Sequence, residues 1–254
     1  EKAQIETICD TLVKLVCSDQ KDQAELRDIY SIALKTLIED VPNSMGTEVS
    51  KHLCGKLLAG ISSNTTSVKK ECLAVLDQLL RRFGSKVSQE HELIMSTVLK
   101  QLPLQGNENK SIRRAAADTL GALALVCNDE RLDRLATLIL EVLSSSKTKG
   151  SRSPGRKSSV SSTKIAAPLL SVFTELLSAD ARTLIHTIGT IARTVGHRLG
   201  RQLPSLVPLF LECIGDADSS SPDDSDEDGG GLTEAEQVSI CIDSMESEEK
   251  ESDL

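Results

Sequence analysis

The sequence contains almost no aromatic residues. One Tyr, three Phe and no Trp occur among 254 residues. Leu, Ile, Val and Ala must therefore build the core, and this composition favours stacked helices over a β-sandwich, which uses more aromatic and β-branched side chains. Long apolar runs are also missing, so we expect no segment that spans a membrane and no membrane partner.

Motifs for catalysis are absent as well. The sequence has no GxxxxGK[ST] or GxGxxG loop for phosphate and no GxSxG or HExxH motif. The histidines are dispersed, and none has a cysteine and an acidic residue beside it; they are His52, His91, His186 and His197. We therefore predict no enzymatic activity, no cofactor and no small-molecule substrate.

The cysteines do not form a recognisable framework. They are odd in number, and no two have CxxC spacing; they are Cys9, Cys17, Cys54, Cys72, Cys127, Cys213 and Cys241. Most fall within apolar helical patterns, so we predict reduced thiols in the core of an intracellular protein and no metal site. We expect the protein in the cytoplasm and nucleus.

The charge balance argues against a nucleic-acid partner. The formal net charge is −9, and much of it comes from acidic residues near the C-terminal end. The rest of the chain is closer to neutral and offers no strong overall attraction for a phosphate backbone.

What the sequence does contain is helical periodicity. The segment 22–42, DQAELRDIYSIALKTLIEDVP, has apolar residues at helical spacing and ends at Pro42. We predict a helix that buries one apolar face, composed of Leu26, Ile29, Ile32, Ala33, Leu37 and Ile38. One such helix cannot bury its face alone, so it needs neighbouring helices.

The same pattern recurs along the chain. An apolar residue followed by a basic one opens successive helices, and the aligned positions Leu26, Val68 and Ile112 are separated by 42 and 44 residues. These spacings are typical of two-helix HEAT or armadillo repeats. We predict an all-α fold, a HEAT-repeat α-solenoid of about five two-helix repeats that form a curved superhelix.

Two low-complexity insertions interrupt the repeats. One is basic and Ser-rich, the other is acidic, and both are predicted to be disordered. Whether the helix predicted at 131–143 or that at 165–177 pairs with 181–195 is left open. The predicted organisation is repeats 1–3 and the first helix of repeat 4 at 1–143, the basic insertion at 144–164, further HEAT helices at 165–214, the acidic loop at 215–231, the last helix at 232–247 and a tail at 248–254.

Basic residues at the start of successive second helices are the candidate partner-binding residues. Stacked repeats would align them as a ladder, and the six candidates are Lys70, Arg114, Arg27, Lys69, Arg113 and Arg182. A structural role is the alternative, in which a basic side chain pairs with a nearby acid or covers apolar surface with its stem. We favour that role for Arg27, Lys69, Arg113 and Arg182, and partner contact for Lys70 and Arg114.

Three stretches carry a family resemblance. IETICDTL, ELRDIYSIALKTLIEDVP and IGTIARTVGHRLGRQLPSLVPL resemble the N-terminal part of the cullin-associated, neddylation-dissociated proteins. The resemblance implies a HEAT-repeat protein that wraps an unmodified cullin–RING scaffold. It also implies a protein that blocks neddylation, promotes substrate-receptor exchange in SCF complex assembly, and grips the cullin C-terminal domain and RING subunit with this segment.

Other functions are also compatible with the sequence. The same repeats would suit a nuclear-transport receptor or another protein–protein adaptor. A tubulin-binding HEAT module fits poorly because the chain has no Trp. Glu1 falls directly into a helical pattern, which favours a fragment of a longer protein with exposed apolar surface at both ends.

Overall fold

The computed structural model describes residues 2–18, 25–44, 46–63, 65–148 and 167–217. All regular structure in these residues is helical, with no strand, so the predicted all-α class is confirmed. Residues 215–217, predicted as the start of the acidic loop at 215–231, are helical instead. The rest of that loop, the last helix, the tail and most of the basic insertion lie outside the described residues.

The helix bounds follow the periodicity closely. The predicted 181–195 helix is found with those bounds, whereas the helix predicted at 131–143 is longer and continues five residues into the segment assigned to the basic insertion. The helices are α1 (Lys2–Val16), α2 (Arg27–Asp40), α3 (Gly46–Ile61), α4 (Thr66–Phe83), α5 (His91–Leu99), α6 (Lys110–Val126), α7 (Asp129–Thr148), α8 (Ala167–Leu176), α9 (Ala181–Val195) and α10 (Leu203–Ala217). Short 3-10 helices at Gly84–Glu90, Asn107–Asn109 and Gly196–Gln202 precede α5, α6 and α10.

Four helices pack against one another in a row, and each one in the row is separated from the next by at least one other helix in the sequence. Helix α2 packs on α4, α4 on α6, and α6 on α9, while α1, α3 and α5 lie beside them. A continuous aliphatic core runs between the two layers and includes Leu76, Leu120 and Ile188. This arrangement explains why helices spaced by 42 and 44 residues become neighbours in space.

The buried face predicted for α2 is wrong. Leu26, Ile29 and Ile32 are 44%, 58% and 59% exposed, and Ala33 is also exposed. Of the predicted set, Ile38 is buried and Leu37 is partly buried against the core. The buried face is instead Arg27, Ser31, Leu34 and Ile38. Helix α2 has apolar residues on two sides, and packing against the neighbouring helices buries the side that the periodicity did not predict.

The two candidate partners of α9 both lie against α5. Arg134 of α7 donates to Glu92 near the start of α5 at 3.1 Å, and Glu175 of α8 lies 3.9 Å from Lys100, just after its end. Helix α9 itself packs on α6 and α7. The packing partner of α9 in the first-helix layer is therefore α7, and α8 extends that layer.

None of the described helices has the length and apolar character needed to cross a membrane.

Candidate partner-binding site

The structure divides the six basic candidates into different environments. Arg27 is buried, Lys69 and Arg113 are partly buried, and Lys70, Arg114 and Arg182 are exposed. They therefore do not form one equivalent ladder along the second helices. Their local contacts explain the division.

The buried side chain of Arg27 connects three segments of the chain through hydrogen bonds. Its side chain is 2% exposed. Nε donates to the Val16 carbonyl at 3.1 Å, and the terminal nitrogens donate to the Ser18 carbonyl and the Ser67 hydroxyl. A cation is favourable at the C-terminal end of α1, where helix carbonyls lack intrahelical donors. Arg27 therefore stabilises the junction of α1, α2 and α4.

Arg113 makes the equivalent contact between α5 and α6. Its terminal nitrogen donates to the Leu104 carbonyl at 2.7 Å and to the Gly106 carbonyl at 3.1 Å. Gly106 has a φ of 97°, a left-handed conformation that glycine adopts without strain. Both arginines thus bind main-chain carbonyls, and not the acidic partners or apolar surface predicted for their structural role.

Arg198 belongs to the same group, although sequence reasoning did not select it. It lies after α9, donates to the Ala124 and Cys127 carbonyls at 2.7 and 2.6 Å, and bonds the Asp129 carboxylate at 2.8 and 3.0 Å. Because Arg198 follows a helix instead of opening one, the apolar–basic pattern could not find it. We call Arg27, Arg113 and Arg198 the turn arginines.

Lys70 and Arg114 meet at a surface cleft. Each stands two residues after an aligned position, Val68 or Ile112, so the packing of α4 on α6 brings them to the same place. The cleft has a volume of about 510 Å³. We call it the basic cleft, and its lining residues are Lys70, Asn107, Lys110, Ser111, Arg114, Ala115 and Asp118.

The basic cleft carries a positive charge on a negatively charged chain. Its lining includes three cations and one carboxylate, and Lys70 also lies 3.4 Å from Glu71. Desolvation by the surrounding protein raises the pKa of Asp118, and repulsion from Asp77 adds to the increase. Asn107 and Ser111 add polar groups, so the cleft can bind carboxylates of a partner through charge-assisted hydrogen bonds.

Within the helix row, this register position is basic only in α4 and α6. The positions equivalent to Lys70 and Arg114 are Asp28 in α2 and Thr183 in α9. Lys110, which sequence reasoning did not select, adds the third cation from the first turn of α6. Its position at the cleft depends on how α4 and α6 pack, which one sequence segment does not reveal.

Comparison with known proteins gives the family relationship. The chain is 29% identical over 216 residues to cullin-associated NEDD8-dissociated protein 2 of Mus musculus, covering 82% of the chain. It is 30% identical over 216 residues to cullin-associated NEDD8-dissociated protein 1 of Dictyostelium discoideum. It is 25% identical over 206 residues to the protein of the same name from Arabidopsis thaliana. The chain is homologous to a short segment of cullin-associated NEDD8-dissociated proteins 1 and 2.

The extent of that homology is limited to one part of each relative. The matched segments cover 15%, 15% and 14% of the mouse, Dictyostelium and Arabidopsis proteins. No protein-family model matches the chain. The resemblance found in the sequence motifs is nevertheless confirmed, because the match covers about four fifths of the chain in all three relatives.

Proposed function

We propose that this chain is part of a non-enzymatic regulator of cullin–RING ubiquitin ligases. In this proposal the protein sequesters the unmodified cullin, blocks its neddylation and promotes exchange of substrate receptors during SCF complex assembly. It acts in the cytoplasm and nucleus. The segment described here grips the cullin C-terminal domain and the RING subunit.

The homology is the observation that carries this proposal. The relatives are named for association with cullin and dissociation from NEDD8, and they match 80–82% of the chain. Because the chain spans only about 15% of their length, the activity of the whole protein is an inference from the family.

The helix packing supports a binding role for this segment. We interpret the row α2, α4, α6 and α9 and its companion layer as HEAT repeats of a curved solenoid. Such a solenoid distributes modest contacts over a large surface. It shifts a partner between states only as far as its affinities for those states differ.

The basic cleft is the contact that we assign to the partner. Lys70 and Arg114 are exposed, whereas Arg27 is committed to the carbonyls of its own chain. We therefore propose that Lys70, Lys110 and Arg114 bind an acidic segment of the cullin–RING scaffold. Arg27, Lys69, Arg113 and Arg182 remain secondary candidates.

A capture experiment with the full-length protein tests the proposed function. The immobilised protein is incubated with equal amounts of one cullin–RING complex, with and without covalently attached NEDD8. We expect capture of the unmodified complex and little capture of the modified one, because the proposed clamp covers the surface that carries the modification.

Equal capture of both forms, or capture of neither, would contradict the proposal. Parallel incubations with a cargo protein that carries a basic nuclear-import signal and with a small GTPase test the nuclear-transport alternative. Binding there without cullin binding would replace the cullin proposal with a transport role.

A further inference from the structure

Two thiols from distant parts of the sequence are in contact. Cys17 directly follows α1 and Cys72 lies within α4, yet their Sγ atoms are 3.6 Å apart. The Cys17 side chain also lies 3.9 Å from the Lys56 carbonyl of α3. Three helices therefore meet at this pair.

A glycine makes the approach of the third helix possible. A Cβ atom at Gly60 of α3 would lie 2.4 Å from the Cys72 Sγ and 2.9 Å from the Cys17 Sγ. Both distances are too short for any real side chain, so α3 can cover the sulfur atoms only with glycine at this position. The close approach of the α3 backbone at Gly60 therefore covers the contact between the two sulfurs.

The two thiols differ in accessibility. Cys72 is 0% exposed, whereas Cys17 is partly exposed at the end of α1. The hydrogen bond with Cys17 and then burial raise the pKa of Cys72, and the Arg27 guanidinium only partly offsets this increase. A small oxidant therefore meets Cys17 first, and Cys72 is the thiol that reacts second.

We propose that Cys17 and Cys72 are a modification site that forms a reversible disulfide when the protein meets a peroxide. Cys17 releases its thiol proton to the solvent, and the thiolate attacks one oxygen of hydrogen peroxide, giving a sulfenic acid and hydroxide. The hydroxide takes the Cys72 proton, giving the first water. The Cys72 thiolate then displaces hydroxide from the Cys17 sulfur, the S–S bond forms, and the displaced hydroxide takes up the proton that Cys17 released, giving the second water. Two thiols and one peroxide become one disulfide and two waters.

The geometry requires only a small movement. A disulfide has an S–S distance of about 2.05 Å, so the sulfurs must approach by roughly 1.5 Å from their contact distance of 3.6 Å. Cys17 lies just beyond the last helical residue, Val16, and can shift without breaking the body of α1. The bond would join α1 directly to α4 and restrict the unfolded chain between them.

Peroxide titration of the whole chain tests the proposal. The protein is treated with hydrogen peroxide, its remaining thiols are alkylated, and non-reduced peptides are identified by mass spectrometry. We expect loss of two alkylated thiols, a cross-linked peptide containing Cys17 and Cys72, and full reversal by dithiothreitol. The oxidised protein should unfold at a midpoint higher by roughly 5 °C.

Three variants make the assignment specific. Cys17→Ser and Cys72→Ala should each abolish the cross-link, whereas Cys54→Ala, a buried thiol outside the pair, should preserve it. Cooperative thermal unfolding of each reduced variant establishes that it is folded. Oxidation that stops at a sulfinic acid on Cys17, a cross-link between other cysteines, or no loss of thiol in the folded protein would each overturn the proposal.

Discussion

The junction of α1 and α2 and the basic cleft both contain basic side chains, but these side chains have opposite roles. At the junction, Arg27 is buried and bonds two carbonyls of its own chain. At the cleft, Lys70 and Arg114 face solvent. Arg113 and Arg114 show that one residue of helical rotation is enough to separate the two roles.

The difference follows from the cost of burying charge. A buried guanidinium loses several kcal/mol of hydration unless hydrogen bonds replace it, and bonds involving a charged group contribute about 1.5–3 kcal/mol each. Arg27 has three such partners, so its burial is compensated. A side chain pointing to the cleft keeps its hydration, contributes little to folding, and remains available to a partner.

Loss of a turn arginine should give the largest effect. We expect Arg27→Ala to lower the free energy of unfolding by about 3 kcal/mol, because the carbonyls of Val16 and Ser18 lose their donor. Denaturant unfolding measures the change. The matched control is Arg182→Ala, since Arg182 occupies the aligned position in α9 but is exposed.

The control should change stability by less than about 0.5 kcal/mol. If both variants lose the same stability, burial and carbonyl contacts are not what distinguish the turn arginines, and the comparison between the two regions fails.

A smaller effect should come from His91, a buried side chain that also bonds a main-chain carbonyl. It is 0% exposed, and Nε2 lies 2.9 Å from the Gly84 carbonyl, so Nε2 carries the proton and donates. Burial lowers the pKa of His91, while the Gly84 carbonyl partly opposes that decrease. The imidazole is therefore neutral in the folded protein at pH 7.

The pH dependence of stability follows from the lowered pKa of His91 in the folded protein. Below the unfolded pKa of 6.5, the unfolded chain takes up a proton that the folded protein does not bind. Stability should fall as the pH decreases from 6.5 towards the folded pKa, by at most about 1.4 kcal/mol per pH unit. Unfolding at pH 7.5 and 5.5 should show this loss in the native protein and a smaller loss in His91→Gln. An equal loss in both would exclude His91 as the source.

Much of the fold was predictable from the sequence, because helix periodicity and repeat spacing are local properties. The helix at Ala181–Val195 and the alternation of helices followed from them. The burial of α2 did not, since Leu26, Ile29 and Ile32 form as good an apolar stripe as the residues that are buried. Which stripe faces the core depends on neighbouring helices.

The site was only partly predictable for the same reason. Lys70 and Arg114 could be paired through the repeat register, whereas Lys110 joins them through the packing of α4 on α6. Arg27 could be suspected of a structural role, but its carbonyl partners are set by where α1 ends. Arg198 reaches α6 from 71–74 residues away in sequence, and no local pattern predicts that contact.

The cleft variant Lys70→Gln/Arg114→Gln should have the smallest effect on stability. Both side chains are exposed, and a neutral amide at position 70 places no second carboxylate beside the buried Glu71, so the unfolding midpoint should stay within about 2 °C of the native value. The control variant Lys51→Gln/Arg201→Gln makes the same charge change at exposed positions outside the cleft and also removes one ion pair, that of Arg201 with Asp133.

The affinity of these full-length variants for an unmodified cullin–RING complex is the most direct test of the division between fold and partner binding. The cleft variant should bind at least about tenfold more weakly than the native protein, and the control should bind within about twofold of it. Native affinity in the cleft variant, or an equal loss in the control, would contradict the assignment of the basic cleft to the partner.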